Sequence, residues 1–80
     1  MKREEALDVV RVMLANGAAV NASVPTSTVL AWLYHAGYDE EACLRSMGYA
    51  AVFGWIAGLQ QFDLIQLTDL GCAAATRSTN

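Results

Sequence analysis

His35, Cys43 and Cys72 are the residues of this chain with the chemistry to hold a transition metal, and the two thiols are also its strongest latent nucleophiles. Zinc sites are organised by close pairs such as CxxC or HxxxH, because two ligands on one turn fix half of the tetrahedron in advance. No such pair occurs here, so His35 reads as a helix-end residue near the negative pole of a helix dipole, and no metal is expected. The acids fall into two groups, Glu4-Glu5 and Asp39-Glu40-Glu41. Each stands where a helix would begin, which suits capping and solvation; the alternative is an acidic patch offered to a basic protein surface. The sequence offers no paired carboxylates for acid–base work, no nucleophile beside a plausible base and no glycine-rich phosphate loop. We therefore expect no enzyme, no catalytic residue and no cofactor.

Composition narrows the classes further. Eighty residues make one domain with a small core, and 55% hydrophobic residues against 16% charged ones suggest that some apolar surface meets another protein. A homodimer through apolar helical faces is the expected supplement to so small a core. The net charge of −3 offers no general attraction to nucleic acid or anionic lipid. Two distant cysteines suit reduced thiols in the cytoplasm. Met1-Lys2-Arg3-Glu4-Glu5 lacks the apolar stretch of a signal peptide, and the longest apolar run, Tyr49 to Leu59, is eleven residues where a span needs about 20. No membrane association is expected.

The elements that position these residues can be read from periodicity and punctuation. Residues 3 to 16 suit a helix with Ala6, Leu7, Val10, Met13 and Leu14 on one stripe, stopped by Asn16-Gly17. Residues 18 to 25 read as a linker with room for a short strand before Pro25. A second helix follows, capped by Thr26 or Ser27, carrying Val29, Leu30, Trp32 and Leu33 and stopped at Gly37, with Trp32 expected to be buried beside Val29. A third, short helix opens at Asp39 and is predicted to stop at Gly48. "AAVFGWIAGLQQF", residues 50 to 62, reads as a fourth, with Val52, Ile56 and Leu59 inward. "DLIQLT" suits a brief strand, and a helical turn behind Thr68 closes the chain.

From Thr26 to Ala75 this order, with the turn "MGYAA" and the segment "FDLIQLTDLG", resembles the winged helix-turn-helix pattern of MarR-like and HxlR-like bacterial regulators. The resemblance implies a small, mostly α, winged-helix-like domain with an extra N-terminal helix over 1–17, a helix-turn-helix core and wing over 26–71 and a tail over 72–80. It makes Leu44 and Met47 the apolar positions of the helix before the turn, Gly48 the turn glycine, and residues 50 to 62 the recognition helix. Leu64-Ile65 and Leu67-Thr68-Asp69-Leu70-Gly71 would bound the wing. Because Gln66 alone separates "LI" from "LT", that wing is expected to be vestigial or absent.

A recognition helix reads bases with Arg, Lys, Asn or Gln, and residues 50 to 59 hold none of these. The function expected is thus a non-enzymatic protein-interaction module, an accessory regulator or an inhibitor of a larger machine such as a phage or mobile element carries. Phe53, Gly54, Trp55, Gly58 and Gln61 are its candidate contacts, with Gly54 and Gly58 in GxxxG spacing on one helical face. The alternative is a homodimeric DNA-binding regulator, which would need Lys2, Arg3, Arg11 and Arg45 to converge and Gln60 and Gln61 to contact bases.

Overall fold

The computed structural model describes residues 2–59 and 63–77. The chain runs α1 (Lys2–Ala15), β1 (Ser23–Pro25), α2 (Thr26–His35), α3 (Glu40–Val52), β2 (Ile56–Leu59), β3 (Leu64–Leu67) and α4 (Asp69–Arg77). The fold class is as the sequence suggests: a small, mostly α domain carrying a short β hairpin. Its three strands form one antiparallel sheet in the order β1-β3-β2. Val24 stands opposite Ile65 on one side of the central strand, and Gly58 opposite Ile65 on the other.

Three helices end in the same way. After α1 the Ala18 N–H reaches the Met13 carbonyl (2.9 Å), after α2 the Tyr38 N–H reaches Leu33 (3.0 Å), and after α3 the Trp55 N–H reaches Ala50 (2.9 Å). The residue before each of these donors is a glycine in the left-handed region, Gly17, Gly37 and Gly54. This is the Schellman closure, in which the glycine turns the chain so that orphan carbonyls of the last turn are satisfied.

That motif overturns the reading of residues 50 to 62 as a helix. Gly54, with φ of 77°, ends α3, and the chain then enters β2. Gly48 is neither a turn nor a stop but lies inside α3. Cys43, Ser46 and Ala50 are buried at three- and four-residue spacing across it, so core packing carries the helix past a residue of poor helix propensity. Nor is the hairpin absent: β3 takes in all of Leu64–Leu67, and its partner strand lies in the stretch read as helical. Gly54 and Gly58, one in a turn and one in a strand, share no helical face.

Met13, Leu33, Leu67, Val9 and Val10 are the largest fully buried side chains, and Trp55, Ile56 and Ile65 close the core from the sheet side. α1, the N-terminal helix added to the helix-turn-helix pattern, supplies Ala6, Leu7, Val9, Val10 and Met13 to that core. Leu14 lies outside the buried stripe, and Trp32 is half-buried rather than buried.

The caps follow side-chain chemistry. The Asp39 carboxylate accepts from the Ala42 N–H at 2.8 Å, as an N-cap should. α2 starts behind Pro25 with no side-chain cap; Thr26 instead donates its N–H (2.9 Å) and its hydroxyl (3.0 Å) to the Asp63 carbonyl, tying α2 to the hairpin. Thr68 accepts from the Gly71 N–H at 3.1 Å and donates to the Gly54 carbonyl at 2.6 Å, so one hydroxyl both caps α4 and fixes the turn after α3.

Candidate interaction face

α3 is the helix that the resemblance places before the turn, and the stretch after it, expected to be the recognition helix, is a turn and the strand β2. The helical surface left to meet a partner here is thus the outward side of α3 itself, which is set by what α3 buries. With Cys43, Ser46 and Ala50 inward, the opposite side carries Glu41, Leu44, Gly48 and Val52, flanked by Arg45 and Ala51. Leu44, an apolar position of the helix before the turn, is 61% exposed, and Val52 is 84% exposed, which contradicts the inward position expected for Val52. Because Leu44, Gly48 and Val52 are each four residues apart, they lie one above another as an apolar ridge that is open at Gly48, where an added Cβ would meet nothing within 4 Å.

The charges near this ridge are few. Arg45 is the single cation of α3, and its Nε donates to the Glu5 carboxylate of α1 at 2.7 Å. That hydrogen bond holds the Glu5 carboxyl below, and the Arg45 guanidinium above, their ordinary pKa values. Lys2 lies 5.8 Å from the Tyr49 ring centre, and Arg3 lies 5.3 Å from that of Trp55. Three of the four cations that DNA binding would require thus meet at the seam between α1 and α3. Arg11 is further along α1, 3.8 Å from Asp8.

The other proposed contacts are scattered. Phe53 is 41% exposed and stacks on Trp55 with ring centres 4.8 Å apart, but Trp55 itself is buried. Gly54 packs against Leu70, and Gly58 faces open space on an edge strand. Gln60 and Gln61 lie outside the described residues. Sequence reasoning missed Leu44, Gly48 and Val52 as a surface because the small buried residues of α3 carry less apolar weight than the large exposed ones. The three-four spacing of Cys43, Ser46 and Ala50 was the available signal.

One turn beyond Glu5 along α1, the Tyr38 hydroxyl donates to the Asp8 carboxylate, and burial with that bond pushes the phenol well above its ordinary pKa. Shallow clefts of about 300 and 360 Å³ flank Tyr38; the first is lined by Glu5, Asp39 and Arg45, the second by Asp8, Arg11 and Val12. These carboxylates already accept from Arg45, Ala42 and Tyr38 within the protein. Cys43 is buried, which raises its thiol pKa, with the charges of Asp39 and Glu40 adding to the effect. Among the described residues no three His, Cys, Asp or Glu side chains group as metal ligands. No helix among them is long and apolar enough to cross a membrane. Searches of family models, curated proteins and solved structures find no match to this chain.

Proposed function

We propose that this chain is a non-enzymatic protein-interaction module on a winged-helix scaffold, with the outward side of α3 as its contact surface. The observation that carries this reading is the exposure of Leu44 and Val52 on either side of Gly48 along α3; with residues 56–59 in a strand, α3 is the helix before the hairpin and would take, instead of residues 50 to 62, the groove-reading place of a winged helix. The ridge's groups are apolar, whereas groove recognition needs donors and acceptors for base edges and cations for phosphates. The element order and the hairpin support the scaffold; the ridge supports the use.

A DNA-binding regulator is the second reading, favoured by the meeting of Lys2, Arg3 and Arg45 at the α1–α3 seam. Against it stand the ion pair that occupies Arg45 and the acids Glu4, Glu40 and Glu41 on the same two helices. Fluorescence anisotropy with duplex DNA over a salt series separates the two. No binding at low salt is expected; binding that weakens steeply as salt rises would establish the regulator instead.

A further inference from the structure

We propose that Asn16-Gly17, at the C-terminus of α1, is a site of covalent self-modification: the asparagine converts through a succinimide to aspartate and isoaspartate when the last turn of α1 opens, and the closed turn holds the reaction back. This goes beyond the reading of α3 as a contact surface and does not depend on it.

The chemistry belongs to this dipeptide. The backbone nitrogen of Gly17, once a solvent base has taken its proton, attacks Cγ of Asn16. A C–N bond forms there as the Cγ–Nδ2 bond breaks, ammonia leaves, and a succinimide ring results. Water then adds to either ring carbonyl and opens the ring to aspartate or isoaspartate, with no change of oxidation state. A side chain on the following residue crowds the attacking nitrogen, and glycine has none. Asn16-Gly17 is the single Asn-Gly pair of the chain, whereas Asn21 is followed by Ala22. Both Asn16 and Gly17 are exposed, and a Cβ at Gly17 would meet nothing within 4 Å, so water reaches the site and the ring has room.

The fold keeps the reacting groups occupied elsewhere. The Gly17 N–H donates to the Leu14 carbonyl at 3.0 Å, and the Asn16 Nδ2 donates to the Val12 carbonyl at 2.8 Å. Both bonds must break before the nitrogen can meet Cγ. The Ala18 N–H, on the Met13 carbonyl at 2.9 Å, holds the turn shut over them. Helix ends open locally at a lower cost than global unfolding, so this closure sets the rate.

The products cannot restore the closure. Aspartate has no donor for the Val12 carbonyl and sets a negative charge at the negative pole of the α1 dipole. Isoaspartate lengthens the main chain by one methylene, which moves the Ala18 N–H off the Met13 carbonyl. Each event therefore weakens the end of the helix that supplies Val9, Val10 and Met13 to the core.

Incubation of the full chain in mildly alkaline buffer, with and without denaturing guanidinium chloride, followed by peptide mapping with mass spectrometry, tests the proposal. Conversion is expected at Asn16, with Asn21 unchanged, and slower in the native chain by about tenfold or more, the ratio that a local opening of about 1.4 kcal/mol imposes. Denaturant below the unfolding transition should barely change the native rate, because a local opening exposes little surface. Asn16→Gln should remove the conversion, and Asn16→Asp, which carries the product, should unfold at a lower Tm than the native chain. No conversion in denaturant overturns the site. Equal rates in both conditions, or a native rate that climbs with denaturant as global unfolding does, overturn the control by the α1 turn. An unchanged Tm in Asn16→Asp overturns the weakening of α1 by the product.

Discussion

Arg45 of α3 and Glu5 of α1 are joined by a 2.7 Å hydrogen bond from the guanidinium Nε to the carboxylate, forty positions apart in sequence. The bond ties the helix that bears the apolar ridge to the helix that organises the core. It also occupies the one cation that α3 holds, so the ridge is left without a charge able to seek phosphate. The same pair shapes how the fold responds to acid. Since Arg45 lowers the Glu5 pKa, Glu5 stays ionised in the folded state at a pH where the unfolded chain would protonate it. The unfolded state then binds more protons, and the pair's contribution is present above the ordinary carboxylate range and lost as pH falls through it. Thermal unfolding followed from about pH 6 down to about pH 2 should show a falling Tm. Glu5→Gln should flatten part of that slope, and an identical slope in the variant would remove the pair from the explanation.

Tyr38 makes a second link to α1. Its hydroxyl donates to the Asp8 carboxylate from a partly buried position, and hydrogen bonds to charged groups contribute more than neutral ones. Tyr38→Phe should lower stability by about 1.5 kcal/mol in urea unfolding, through the lost bond and the carboxylate left with Arg11 at 3.8 Å. Equal stability of the two proteins would mean that water replaces the phenol without loss.

The two thiols should differ sharply in reactivity. Cys43 is fully buried and its thiol pKa is raised by burial and by the nearby acids Asp39 and Glu40, so little thiolate forms and little reaches solvent. Cys72 is only partly buried. Maleimide labelling at neutral pH, read by mass spectrometry, should modify Cys72 first and Cys43 only on unfolding. Equal rates would show that the α3 core opens readily.

How far the sequence could be read turns on glycine and on residue size. Gly17 and Gly37 follow long apolar stripes and sit where the stripes stop, so the ends of α1 and α2 were legible. α3 carries two glycines, and local propensity favours stopping at the first. Only the burial of Ala50, a tertiary fact, carries the helix past Gly48 to Gly54. That one boundary turns the strand β2 into helix and costs the hairpin its first strand, while the strand in "DLIQLT" and the helix behind Thr68 stand as the sequence suggests. The surface suffered similarly. Alanine, serine and cysteine form the inward side of α3 while leucine and valine face outward, an inversion of the usual weight that only the three-four spacing of Cys43, Ser46 and Ala50 signals.

Three glycines now carry three distinct expectations, and together they test the packing directly. A Cβ at Gly71 would overlap the backbone carbonyl oxygen of Trp55, which also accepts the Thr68 N–H at 3.1 Å, so the junction of α4 with the turn after α3 cannot yield without losing a hydrogen bond. Gly71→Ala should cost about 3 kcal/mol or more, in the range of overpacking against rigid atoms. Gly58 faces open space on the edge strand β2, so Gly58→Thr should be neutral or stabilising by up to about 1 kcal/mol, contrary to the close packing that a helical GxxxG would impose. Gly48 has the same open surroundings inside a helix, and Gly48→Ala should raise the stability of dilute monomer by about 1 kcal/mol. Urea unfolding of the two proteins reads that gain directly. Equal stability of the two proteins would mean that helix propensity does not set the cost of Gly48, and that the burial of Cys43, Ser46 and Ala50 alone decides how α3 holds.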